Sequence, residues 1–248
     1  MRAAVRIETG HCTVRNDWLG RAWSAFPGET LALTDFGRGV DWISHAGPDL
    51  ALRLDGTLLT TGDLGDIQWA EERCALGAVL VCKRTFPGAV VVTRDLAYDE
   101  YPAMQRFVSV ISLMARPAEL RAPIVDALCV DRTNTKLRWD SFQQEGESFA
   151  GELQERGIAL VRGHHGLIVG AYHGASYDFF DIDPGRCTLG FPAQYLVEPG
   201  SVTRLPSTFI LVYAGDLANA SRTDYADFLA QMRKEHKARE NGQGEPYD

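Results

Sequence analysis

The sequence predicts an all-β fold, a large antiparallel β super-sandwich followed by a short C-terminal helix. Three observations carry that expectation. Strand-like runs punctuated by Gly, Pro and Asp recur at roughly ten-residue spacing up to residue 214. No long helical pattern separates them, which excludes a parallel α/β sheet. The chain then changes character at Ser221, where a helical period begins.

Taken in order, residues 3–7 alternate, and 31–34 form a short run ending at Asp35-Phe36-Gly37. Residues 50–54 alternate into Asp55-Gly56, a strong hairpin signal, with 58–61 as the partner strand. Residues 67–74 are polar and aromatic. The runs 78–86 and 89–96 flank Pro87-Gly88 and make the clearest hairpin in the chain. Residues 104–113 are β-rich between Pro102 and Pro117. The run 120–129 carries Pro123, which marks an edge or a bulge. Residues 135–142 hold Trp139, and 157–161 and 166–172 flank a turn at 162–165. Residues 190–197 lead to Glu198-Pro199-Gly200, and 208–214 form the last apolar strand.

Ser221-Arg222-Thr223-Asp224 reads as a capping box with Asp in place of Glu. Tyr225, Phe228, Leu229 and Met232 then share one helix face. Arg233, Lys234, Lys237 and Arg239 load the C-terminal end with the charge the helix dipole favours, and Asn241-Gly242 ends it. Two units are expected: residues 1–218 as the sandwich, and 219–248 as a linker-like helix and tail.

The 248 residues are 45% hydrophobic and 23% charged, which excludes disorder, collagen and coiled coil. With 25 Lys and Arg against 33 Asp and Glu, the formal charge is −8. Such a surface repels phosphate, so neither nucleic acid nor an anionic membrane is an expected partner. Cys12, Cys74, Cys82, Cys129 and Cys187 contain no C-x-x-C pair and read as free thiols, with Cys82 in the core. Free thiols suit a reducing compartment. The N-terminus lacks the apolar stretch of a signal peptide, and the apolar runs fall far short of the ~20 residues that span a bilayer. A soluble, cytoplasmic protein is expected.

The sequence holds no G-x-S-x-G, P-loop, H-E-x-x-H or dinucleotide fingerprint. Three features are left that could carry chemistry. His164, His165, His173, Asp178, Asp181 and Asp183 combine imidazole and carboxylate. Their spacing matches no metal module, so no metal or cofactor is expected; loop polarity is the plain reading and a sugar-binding or catalytic edge the sharper one. Asp95, Asp99 and Glu100 crowd one segment. They could form an acid–base pair on a sugar, or simply line a turn. Finally, an exposed aromatic ring can stack on the C–H face of a sugar. Trp42, Trp69, Trp139 and Tyr177 are the candidate carbohydrate contacts, although large aromatics more often serve the core.

Three stretches together carry a family likeness: 82–88 (Cys-Lys-Arg-Thr-Phe-Pro-Gly), 95–106 with Tyr98, Tyr101-Pro102-Ala103 and Arg106, and 197–201 (Val-Glu-Pro-Gly-Ser) ahead of Thr208-Phe209-Ile210-Leu211. Their order resembles the galactose mutarotase-like super-sandwich, and most of all the N-terminal domain of alpha-galactosidases of glycoside hydrolase family 36. The resemblance implies a sandwich that precedes a catalytic barrel, joined through a helical linker like 221–239. The chain stops where that barrel and its two aspartates would begin. The mutarotase pairing of a catalytic histidine with a late glutamate is not evident, since Glu198 lies in a turn.

A non-catalytic carbohydrate-binding or accessory domain is therefore the leading expectation. Its partners would be a galactoside-like sugar and a glycosidase, or further copies of itself. In the family such a domain can lend an aromatic to a neighbouring subunit's active site, and Trp42 and Trp69 are candidates for that. One alternative is a stand-alone, aldose epimerase-like enzyme using His173 with Asp178 or Asp181. The other is a purely structural or oligomerising module.

Overall fold

A computed structural model describes residues 2–130, 136–138, 157–172, 186–191 and 194–240. Chain order begins with β1 (Ala4–Ile7), β2 (His11–Arg15), β3 (Leu19–Ser24), β4 (Thr30–Asp35) and β5 (Val40–Asp41), a meander in which each strand pairs with the next. The hairpin β6 (Ala51–Leu54) and β7 (Thr57–Leu59) follows. Its turn is the expected Asp55-Gly56, with φ of 46° and 80°, the left-handed pair that a two-residue hairpin requires. Four long strands come next: β8 (Asp66–Cys74), β9 (Gly77–Phe86), β10 (Ala89–Tyr98) and β11 (Ala103–Ser112). The remainder is β12 (Ala118–Cys129), β13 (Lys136–Arg138), β14 (Gly157–Arg162), β15 (His165–Tyr172), β16 (Arg186–Gly190), β17 (Gln194–Val197), β18 (Val202–Arg204), β19 (Ser207–Ala214), α1 (Leu217–Arg222) and α2 (Asp224–Glu240).

The described strands sort into three antiparallel sheets. A nine-stranded central sheet runs β13-β14-β15-β19-β11-β10-β9-β8, with β18 also on β11. The meander is the second sheet, and β16-β12-β6-β7, with β17 also on β12, is the third. Strand alternation decides how they stack. Leu80, Ala97, Met104 and Leu167 face one side of the central sheet and pack on Val14, Leu19, Trp23 and Leu33 of the meander. Phe86, Val91, Val108 and Ala171 lie on the same face and pack on Leu52, Leu54, Leu120 and Val197 of the third sheet. The two smaller sheets thus share one face of the large one. On the opposite face Val79, Leu96, Phe209 and Leu211 meet Tyr225, Phe228, Leu229 and Met232 of α2, the helix face expected from the sequence. Cys12, Cys74 and Cys82 are free thiols, and burial pushes the Cys82 thiol up to about 12. No helix among the described residues is long and apolar enough to cross a membrane.

Of the two readings of Pro123, an edge or a bulge, the structure shows the bulge: β12 has β6 on one side and β16 and β17 on the other, the register shifts between Arg121 and Ile124, and Ala122 takes φ 39°. The structure differs from the sequence reading in two places. Ser221 does not cap a long helix. It lies inside the short α1, which runs to Arg222; Thr223 leaves helical geometry, and the Thr223 carbonyl accepts the first bond of α2 from the Asp227 N–H at 2.9 Å. Strands β2, β3, β5, β16 and β18 have no counterpart in the sequence reading; their short, mixed stretches lack a strong period.

Asn16 ties the meander to the central sheet. Its buried amide donates to the carbonyls of Tyr98, Tyr101 and Ala103 at 3.0–3.1 Å, and its Oδ1 accepts from the N–H groups of Trp18 and Leu19. Asn16→Ala leaves those groups unpaired and is expected to cost about 2–3 kcal/mol, read as a lower urea midpoint. A loss under about 0.5 kcal/mol would show that the clamp does not hold the sheets together.

Candidate functional site

Where the two smaller sheets meet over the central one, six buried charges form a network. β3 supplies Arg21, the β5–β6 connection Asp49, β9 Arg84, β10 Asp95, β11 Arg106 and β12 Asp126. All are at most 4% exposed, and three guanidinium groups balance three carboxylates. Arg21 grips Asp126 through two bonds of 2.7 and 2.9 Å. Arg106 grips Asp95 at 2.7 and 3.2 Å and reaches Asp49 at 2.8 Å. Asp49 also accepts from Arg84 at 3.2 Å and from the Trp23 indole at 2.7 Å. Burial alone would raise the Asp49 pKa, but Arg84, Arg106 and Arg21 hold it well below the usual carboxylate range. Burial likewise works against the charge on Arg106, yet Asp95, Asp49 and Asp126 keep it firmly protonated. Closed from solvent and fully paired in sign, this cluster cannot exchange protons with a substrate. It fixes how three sheets meet.

The acidic segment after β10 does not converge either. Asp95 belongs to the network, Asp99 accepts the Ala3 N–H and pairs with Arg73, and Glu100 points to solvent. An acid–base pair does not form there.

Trp42 is fully buried, with the Arg162 guanidinium 4.4 Å from its ring centre and His165 edge-on at 6.0 Å. No face of it is open to a sugar, so the stacking role expected for Trp42 is corrected: its large apolar ring fills the joint between the meander and the central sheet. Burial lowers the His165 pKa. Asp35 opposes that shift, while Arg38 and Arg162 reinforce it. Trp69 is half-buried. Its indole N–H donates to the Ala25 carbonyl at 2.8 Å, and its ring lies 6.3 Å from Trp23 and 6.0 Å from the Arg84 guanidinium. Trp139, Tyr177, His173, Asp178, Asp181 and Asp183 lie outside the described residues. Among the described residues no three His, Cys, Asp or Glu side chains gather as a metal set.

An accessible site lies instead on the outer face of the meander. Strand pairing places Arg6, Thr13, Ala22 and Ala32 in one row and Arg15, Gly20 and Thr34 in the next. Small side chains in the middle of both rows leave a depression of about 220 Å³. Phe36, 42% exposed, lies across Gly20, where an added Cβ would come within 2.7 Å of the ring. Arg15 stands 5.9 Å from the Phe36 ring centre, and a Glu8–His11 pair at 3.3 Å closes one end. Ala22 and Ala32 form the open floor, Phe36 covers Gly20 beside it, and Arg6, Arg15, Thr13 and Thr34 put hydrogen-bond donors around it. Sequence reasoning did not single out these residues. The available signal was Arg6, Thr13 and Arg15 at alternate, outward positions of short strands.

No protein-family model matches the sequence, and no curated protein does. Solved structures do match in shape. A GH36 alpha-galactosidase, AgaB, from Geobacillus stearothermophilus superposes with a TM-score of 0.60 and 13% identity over 90% of this chain and 42% of that one. An alpha-mannosidase from Enterococcus faecalis gives 0.55 and 8% identity over 90% and 31%. A heparan sulfate lyase HepC mutant from Pedobacter heparinus gives 0.55 and 10% identity over 87% and 37%. The chain spans less than half of each. The fold is thus a large antiparallel super-sandwich, and it resembles in shape part of the GH36 alpha-galactosidase AgaB.

Proposed function

We propose that this chain is a non-catalytic, carbohydrate-binding sandwich that serves a glycosidase as an accessory unit. The groove on the outer face of the meander carries the reading: Phe36, lying over Gly20 beside a floor of Ala22 and Ala32, suits the C–H face of a pyranose, and Thr13, Thr34 and the rim arginines suit its hydroxyls. The buried state of Asp49, Asp95 and Asp126 supports a binding role over a catalytic one. The shared fold supports a galactoside-like ligand and a glycosidase or a second copy of the chain as partner. The free thiols of Cys12, Cys74 and Cys82 suit a reducing compartment.

Calorimetry and thermal shift against galactose, melibiose and raffinose, with aryl-galactoside hydrolysis assayed on the same preparation, test this. Saturable binding without turnover is expected, with a stabilisation of about 2.7 kcal/mol at a hundred times Kd. Phe36→Ala is expected to weaken binding by roughly threefold to tenfold. Sustained hydrolysis or epimerisation by the purified chain would replace the reading with an enzyme. Absence of any sugar binding would leave a structural module.

A further inference from the structure

We infer that the meander groove selects saccharides bearing a carboxylate, uronic acids in particular, through Arg6 and Arg15; this rests on the groove being the sugar site proposed above. The first ground is charge. The chain carries a net −8, yet this depression is rimmed by two guanidinium groups. Among the described residues neither Arg6 nor Arg15 takes part in an ion pair. Glu8, on the same lining, pairs with His11 at 3.3 Å, and Asp41, which ends the Arg15–Gly20–Thr34 row, accepts the N–H groups of Leu33 and Ile43 at 3.1 and 3.0 Å, so neither acid pairs with Arg6 or Arg15.

The second ground is register. Arg6 lies opposite Thr13, and Arg15 lies two residues further along the same strand on the same face. Such diagonal neighbours have side-chain origins about 7–8 Å apart, within reach of one shared anion. Two long guanidinium side chains on such a diagonal can both reach one bound anion. Ala4, directly opposite Arg15, leaves the space between them open.

The third ground is shape. A planar carboxylate matches the fork of a guanidinium. With the acid group held between Arg6 and Arg15, the attached pyranose would lie over Ala22 and Ala32 with an edge toward Phe36, which covers Gly20 and which Arg15 already approaches. A volume of about 220 Å³ suits a single sugar ring better than a long chain segment.

The test is calorimetric titration of the full chain at low ionic strength with a galacturonic acid trimer, the neutral galactose trimer, and sodium acetate. The galacturonate is expected to bind at least about tenfold tighter than the neutral trimer. Arg6→Gln and Arg15→Gln should each erode that preference, and the double variant should abolish it, with thermal midpoints held because both positions face solvent. Arg53→Gln, an exposed arginine on the third sheet, should retain the preference. Equal affinity for acidic and neutral trimers would overturn the inference while leaving the sugar-binding reading intact. So would a preference that survives the double variant. Acetate binding as tightly as the trimer would reduce the site to an anion spot and also overturn it. Failure of both trimers to bind would remove the inference and the sugar-binding reading together.

Discussion

Asp49→Asn is expected to lower the unfolding free energy by about 3–5 kcal/mol, because it leaves a buried positive charge without its counter-ion. Asp49 is the only carboxylate of the buried network that neutralises both Arg84 and Arg106 while accepting the Trp23 indole N–H. Asparagine keeps the shape and loses the charge, so three guanidinium groups would face two carboxylates out of reach of water. The measurement is a denaturant titration with an unchanged m-value and a lower midpoint; in a thermal scan the fall is roughly 10 °C. A loss below about 1 kcal/mol would mean that water reaches the cluster and screens it. The pH dependence has a definite sign. The folded-state pKa of Asp49 is depressed, so its stabilisation is fully present above the unfolded value of about 3.9 and is lost as the pH falls through the lower folded value. The gap between wild type and Asp49→Asn should therefore narrow below about pH 4.

Phe228→Ala carries the next largest expected effect, about 3–5 kcal/mol. Phe228 is fully buried, with ring centres of Tyr98 at 5.4 Å, Phe209 at 5.5 Å and Tyr101 at 5.9 Å. Its ring is the hub through which α2 holds the outer face of the central sheet. Removing it opens a cavity between two elements rather than within one. The loss should therefore also appear locally, as faster amide exchange along α2 at denaturant concentrations where β9–β11 remain protected. Exchange in α2 that tracks global unfolding in the variant would show that the helix is held by other contacts.

The sequence made the long elements legible and the short ones not. β9 and β10 read clearly because Val79–Val81 and Val90–Val92 lie between apolar layers on both faces and Pro87-Gly88 marks the turn. β2 escaped notice because its outward residues His11, Thr13 and Arg15 dilute the apolar pattern of Cys12 and Val14. The same outward residues build the groove, so strand and site were missed for one reason. The tryptophans show the converse limit. Residue type announces that Trp42 and Trp69 matter, but only packing tells a buried ring stacked by Arg162 from one that greets a ligand. The charged network was illegible for a further reason: Arg21, Asp49, Arg84, Arg106 and Asp126 lie far apart in sequence, and any one of them alone reads as a charge turned to water.

The position of β19 within the central sheet governs how the chain reaches its native state. Its residues pair with β11 on one side and β15 on the other, as in Met104↔Ile210 and Leu167↔Val212. Until this last strand slots in, β11 and β15 present open backbone edges, and every contact that β19 makes with β11 must close a loop spanning nearly half the chain. Loop-closure entropy has to be met before those contacts reward it, which places the protein among slow folders on the millisecond-to-second scale. In that interval the exposed β11 and β15 edges are where chains in concentrated solution would pair with one another, so recovery on refolding should fall with protein concentration.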